Sequence, residues 1–112
     1  MKIANAKIKK VSVEIDDLNR LSARMTFDGL NKCWEWSFML NRSTDINRLI
    51  RLMEYVEVKK VNDLKNKIIR VAEAECFLLG LGHPIEDKFI PINTGGEFIE
   101  IKEKALKDFV AK

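Results

Sequence analysis

Histidine is nearly missing from this chain of 112 residues, with His83 the single example, and cysteine occurs only as Cys33 and Cys76, without CxxC spacing. One imidazole and two distant thiols supply no four-ligand zinc set. Two cysteines also make no disulfide framework, so two reduced, partly buried thiols in a cytosolic protein are the expectation. No apolar run approaches the ~18 residues of a membrane span. The lysines of residues 1–10 have no apolar segment behind them, so a secretory signal is not expected there. Gly80 and Gly82 stand without the further glycines of a dinucleotide fingerprint and without the Lys-Ser/Thr of a P-loop. Charge of one sign is not in excess either: 20 Lys and Arg against 17 Asp and Glu leave +3. That balance argues against a binder that holds nucleic acid by charge alone, and against an acidic nucleic-acid mimic. No metal or cofactor is implied, and no internal repeat is visible.

What is present is globular composition, 46% hydrophobic and 33% charged, at a length that suits one domain over residues 1–112. Residues 7–15 alternate: Ile8 stands alone, then Val11, Val13 and Ile15 point one way, and Lys10, Ser12 and Glu14 the other. Leu21, Ala23, Met25 and Phe27 form a second alternating set, and Trp34, Trp36, Phe38 and Leu40 a third. A period of two, broken by turn clusters at Asp16-Asp17-Leu18-Asn19 and Asp28-Gly29, predicts an antiparallel three-stranded meander. The period then changes. Ile46, Leu49, Ile50, Met53 and Val56 form the stripe of an amphipathic helix packed on that meander, with Ser43 or Thr44 as N-cap and Asp45 at the positive end of its dipole.

Residues 61–80 fit two patterns. One is a single helix carrying Val61, Leu64, Ile68, Val71, Ala72, Cys76 and Leu79, with Asn62 as N-cap. The other is a short turn at Asn62–Asn66, then a strand Ile68–Ala74 and another from Cys76 to Leu81. Gly80-Leu81-Gly82-His83-Pro84 reads as a loop, and Phe89-Ile90-Pro91-Ile92 as a short edge segment, because proline donates no ladder bond. Thr94 to Glu97 has capping-box spacing. Phe98, Ile101, Ala105, Leu106 and Phe109 give a C-terminal helical stripe, with a strand over residues 97–101 and a shorter helix as the alternative.

Three groups of residues invite a chemical reading. Lys59, Lys60, Lys65, Lys67 and Arg70 fall within twelve positions, and with Arg48 and Arg51 they make either a solvated face or a patch for an anionic partner, which Glu54, Glu57 and Asp63 dilute. Trp34, Trp36 and Phe38 share one face of a strand. That strip either stacks bases or belongs to the core, and a chain this short needs its large apolar groups for the core, joined by Val11, Val13, Ile15 and the residues of the second strand. Ser22, Arg24, Thr26, Glu35 and Ser37 would then face water. His83 sits near Asp87 and Lys88. It is either a turn residue or a proton-transfer group oriented by Asp87, with Lys88 or Arg70 meeting an anion; no nucleophile, metal set or cofactor motif accompanies it.

The run Asp63-Leu64-Lys65-Asn66-Lys67-Ile68-Ile69-Arg70-Val71, followed by Leu79-Gly80-Leu81-Gly82-His83 and Asp87-Lys88-Phe89, resembles small uncharacterised proteins of phages and prophages of Gram-positive bacteria. The resemblance covers about residues 61–90 and implies a hairpin there. The expected architecture is therefore α+β: the meander, its helix, further short strands from Ile68 to Ile92, and a C-terminal helix. The resemblance also implies a phage or mobile-element setting, and with it the cytoplasm of a bacterial host cell. The expected function is a non-enzymatic accessory protein that binds a protein partner, as an inhibitor of a host defence system such as CRISPR would. The alternative is a small nucleic-acid-binding module that uses residues 59–70.

Overall fold

The computed structural model describes residues 1–29, 32–75, 77–92 and 99–110, with only the backbone of residues 109 and 110. Its strands are β1 (Lys2–Ile15), β2 (Leu21–Asp28), β3 (Cys33–Met39), β4 (Ile68–Glu73), β5 (Leu78–Gly82) and β6 (Phe89–Pro91). Two helices, α1 (Ser43–Tyr55) and α2 (Glu103–Val110), and a 3-10 turn at Val61–Leu64 complete it. The fold is α+β, with all six strands in one antiparallel sheet of order β3-β2-β1-β4-β5-β6.

The long strand β1 serves two neighbours. Residues 2–7 pair with β4 and residues 8–15 with β2. At the changeover Ile8 opposes Phe27 and Lys10 opposes Thr26, which leaves Lys9 as an extra residue. A bulge of one residue shifts the phase of alternation. It therefore puts Ala6 and Ile8 on the same face as Val11, which explains why Ile8 stands out of step in the sequence. The displaced Lys9 ammonium pairs with Asp28 at 2.8 Å.

The sheet is curled as well as twisted. Trp34 on β3 donates its indole N–H to the carboxylate of Glu73 on β4. These strands are three places apart in the sheet, a backbone separation of about 14 Å if the sheet were flat. Twist and the bulge bring the two side chains within reach. Inside the curl lie Ile8, Met25, Phe27, Phe38, Ile69, Val71, Leu78, Leu81 and Ile90, closed over by Leu49 and Leu52 of α1. On the other face of β4 to β6, Ala72, Leu79 and Phe89 pack against Leu106 of α2.

Several expectations change. The helix α1 lies against β3, β5 and β6 and not on the meander alone. Its buried side is accordingly rotated toward Leu49, Leu52, Tyr55 and Val56, and Ile50 is 48% exposed. Neither Ser43 nor Thr44 caps it. Arg42 takes that position without a side-chain bond, and the Asp45 carboxylate accepts the Met39 N–H at 2.9 Å. Val13 and Ile15 are not core residues, because the cover given by α1 stops short of that end of the hairpin. Ser22, expected in water, is buried.

The described part of residues 62–79 is a turn and two strands, not one helix; Cys76 lies outside the described residues, and Cys33, expected partly buried, is exposed. Asn62 lies in the 3-10 turn, and Asn66, just after the Lys65 C-cap, is in the left-handed region at φ 73°, a conformation that asparagine tolerates better than most residues. Gly80, Leu81 and Gly82 belong to β5 and not to a loop. These glycines answer to close packing: a Cβ on Gly82 would lie 2.5 Å from the Phe89 ring, and one on Gly80 3.2 Å from Leu106 and from the Ile90 carbonyl. Pro91 is in the edge strand β6. Ile101 forms an isolated bridge with Phe89, so the helix begins only at Glu103. The capping spacing at Thr94 to Glu97, Phe98, and the Phe109 side chain lie outside the described residues.

Gly82→Ala is expected to lower stability by about 1–3 kcal/mol through overpacking against Phe89, and Gly80→Ala to lower it less. Urea denaturation midpoints of the two variants check this order. Equal midpoints for Gly82→Ala and the unaltered chain would refute it.

Candidate functional site

The loop after β5 holds His83, Asp87 and Lys88, and each engages the chain itself. His83 Nδ1 accepts the N–H groups of Ile85 at 3.0 Å and Glu86 at 2.9 Å. In the neutral ring this places the proton on Nε2, which lies 3.7 Å from the Glu86 carboxylate. The His83 N–H donates to the Lys88 carbonyl at 2.8 Å. The Lys88 ammonium meets Glu86 at 3.0 Å; that hydrogen bond raises the lysine pKa and lowers that of the glutamate. Asp87 reaches away from the loop and accepts the Glu103 N–H at 2.8 Å, capping α2. Arg70 is held by the same loop: its Nε donates to the His83 carbonyl at 2.7 Å, its Nη2 to the Glu86 carbonyl, and its guanidinium lies over the Phe89 ring.

Tyr55 stands edge-on to His83, with ring centroids 5.3 Å apart. Its hydroxyl donates to Glu100 at 2.7 Å, and Arg51 donates to the same oxygen at 3.0 Å. Burial, and then the bond to Glu100, push the tyrosine pKa far above its ordinary value. Burial works to raise the Glu100 pKa, but the bonds from Tyr55 and Arg51 outweigh it and hold the carboxyl below its ordinary range.

A shallow cavity of about 330 Å³ joins two of the sequence candidates, because Tyr55, Glu57, Lys67, Ile68, His83 and Ile85 all line it. No serine, cysteine or second imidazole is among its lining residues. Of the basic segment, Lys59, Lys60, Lys65 and Lys67 are exposed and form no ion pair among the described residues, whereas Arg70 is tied to the loop. Arg48 faces Asp45 at 3.7 Å and Arg51 is engaged with Glu100, so neither arginine extends the lysine patch.

Two further places had no functional assignment from the sequence. One is the far end of the β1–β2 hairpin, where Val13, Ile15, Leu18 and Leu21 are exposed. The alternation of Val13, Ile15 and Leu21 was visible; the absence of a cover was not. The other is a cavity of about 340 Å³ beside Trp34 and Glu73, which exists only because the sheet curls. Phe38 is fully buried and both tryptophans are half-buried against the core, so the three rings do not form one open stacking strip.

No group of three His, Cys, Asp or Glu residues among those described is placed to hold a metal ion, and no described helix is long and apolar enough to cross a membrane. No family model, curated protein or solved structure matches this chain.

Tyr55 is the only tyrosine, so absorbance at tyrosinate wavelengths reports it alone. No ionisation is expected as the pH passes its ordinary value of 10.0. The stability due to the protonated hydroxyl is fully present below that pH and declines above it, as the unfolded chain ionises first. The tyrosinate signal should therefore rise together with alkaline unfolding. Titration with a midpoint near 10 in the folded chain would refute the buried bond to Glu100.

Proposed function

We propose that this chain is a non-enzymatic accessory protein of a phage or mobile element that binds a protein partner through the end of its β1–β2 hairpin. The observation that carries this reading is the exposure of four large apolar side chains within nine residues: Val13 at 48%, Ile15 at 65%, Leu18 at 70% and Leu21 at 46%. The register Val13 to Ala23 and Ile15 to Leu21 places three of them on one face of the sheet. Clustered exposed apolar groups of this kind mark interaction surfaces.

The hairpin end is also prepared for binding. The Asp16 carboxylate accepts the N–H groups of Leu18 and Arg20, both at 2.9 Å, and pairs with Arg20 Nε at 3.0 Å. Asn19 completes the turn at φ 61°. A turn ordered beforehand loses less entropy on association. The phage setting rests on the resemblance over residues 61–90, and inhibition of a host defence system such as CRISPR is the form of partner binding proposed.

The test compares the unaltered chain with Ile15→Asp and Leu18→Ser as immobilised bait in host lysate and in a phage challenge. A discrete partner and phage protection are expected, both lost in the variants while far-UV circular dichroism stays unchanged. Equal capture by all three chains, or protection that survives both substitutions, removes the reading.

A second reading, a nucleic-acid-binding module, has one specific observation in its favour. The Asn66 N–H donates to the Ile8 carbonyl at 2.7 Å and the Ile8 N–H to the Lys67 carbonyl at 2.9 Å. Exposed Lys7 thus joins Lys65 and Lys67, with Lys59 and Lys60 following from the same connection. Binding through such a patch should weaken with salt at a log–log slope of roughly −0.9 per duplex phosphate contact. Lys7→Glu, Lys65→Glu and Lys67→Glu together should flatten that slope for every sequence tested. No gel shift at low salt with micromolar protein ends this reading.

A further inference from the structure

The cavity beside Trp34 has an unusual floor. Glu73 is only 6% exposed, yet it ends a strand at a space of about 340 Å³ lined also by Met1, Lys2, Lys32, Trp34 and Glu75. Its carboxylate accepts the Trp34 indole N–H. Gly29 presses against both groups, and a Cβ there would collide with the carboxylate and the indole. Glycine at this position thus lets the backbone of residue 29 lie against both groups. Over the indole face, 3.9 Å from the ring centroid, sits the Lys32 ammonium, carried by an exposed residue.

An indole face beside a buried carboxylate is an environment selective for organic cations: the ring quadrupole and the fixed negative charge both attract them. A planar anion stacking on Trp34 would meet the Glu73 charge at short range with little water to screen it. A metal ion would need more oxygen ligands than the described residues bring together here. Lys32, tethered to the connection before β3, already occupies the favourable position.

We infer that this cavity is a recognition site for an alkylammonium or guanidinium group, and that Lys32 holds it as an internal competitor which an incoming cation displaces. Trp34 supplies the face, Glu73 and Glu75 supply two negative charges against the one positive charge of Lys2, and Met1 with Ala74 supplies the apolar wall for the alkyl stem. The cation is either a small free amine or a basic side chain of a partner. The inference does not depend on the hairpin surface, and substitutions at Ile15 and Leu18 leave it untouched.

The test follows the indole N–H resonances of Trp34 and Trp36 by ¹⁵N-edited NMR while n-butylammonium chloride is added. Sodium chloride and n-butanol serve as matched controls. Saturable movement of the Trp34 signal is expected, with Trp36 still. Lys32→Ala should tighten binding by roughly three- to tenfold, because the competing ammonium is gone. Glu73→Gln should abolish it. A capped lysine amide that moves the same signal identifies a partner's side chain as the source. A response to n-butylammonium alone identifies a small free amine. No movement with either ligand in both the unaltered and the Lys32→Ala chains overturns the inference. So does equal movement with sodium chloride, or an affinity that Lys32→Ala fails to raise.

Discussion

The extra residue at Lys9 governs much of this molecule, because β1 must satisfy different neighbours along its length. Its first half completes a sheet with β4 and its second half with β2. A regular strand would keep one phase of alternation throughout and turn Ile8 or Val11 to the wrong face. The bulge lets both halves send apolar side chains to one core and adds local twist. With that twist the sheet curls until an indole on β3 reaches a carboxylate on β4. The interior so formed holds Phe27, Phe38, Ile69 and Leu81 with no solvent exposure at all.

A curled sheet has an open side, and α1 closes it from β3 across to β5 and β6. One helix of thirteen residues does not reach every apolar position on the inner face. Leu52 and Phe38 are covered; Ile15 and Leu21, on the same sheet face at its far end, are not. The exposed hairpin is therefore a consequence of helix placement. The ordered turn around Asp16 holds that end in shape without a core beneath it.

Much of the chemistry suggested by residue types near positions 70–88 is spent inside the fold. Arg70 braces the loop carbonyls, Asp87 caps α2, and the imidazole of His83 ties down two amides. A lysine offers one compact charge on a flexible stem, whereas arginine and histidine fit fixed hydrogen-bond geometries. This difference separates the residues left facing solvent, Lys59, Lys60, Lys65 and Lys67, from those drawn into the structure.

The meander and the first helix were legible in the sequence because burial on one side of a strand or helix imposes a period, and local turn chemistry marks the ends. The strand character of residues 68–73 and 78–82 was legible only as one of two patterns: Ile68, Val71, Ala72 and Leu79 suit a helix stripe as well, and choosing between them depends on partners distant in the chain. The glycines of β5 looked like loop residues because nothing local shows that Phe89 and Leu106 need their space. Nothing in the local sequence marks Glu73. Its burial, its bond to Trp34 and the cavity above it follow from the curl, which brings together positions 39 residues apart. Sequence periodicity by itself determined which faces are apolar; only the tertiary structure decided which of those faces are covered, because cover comes from the path of elements that no local pattern encodes.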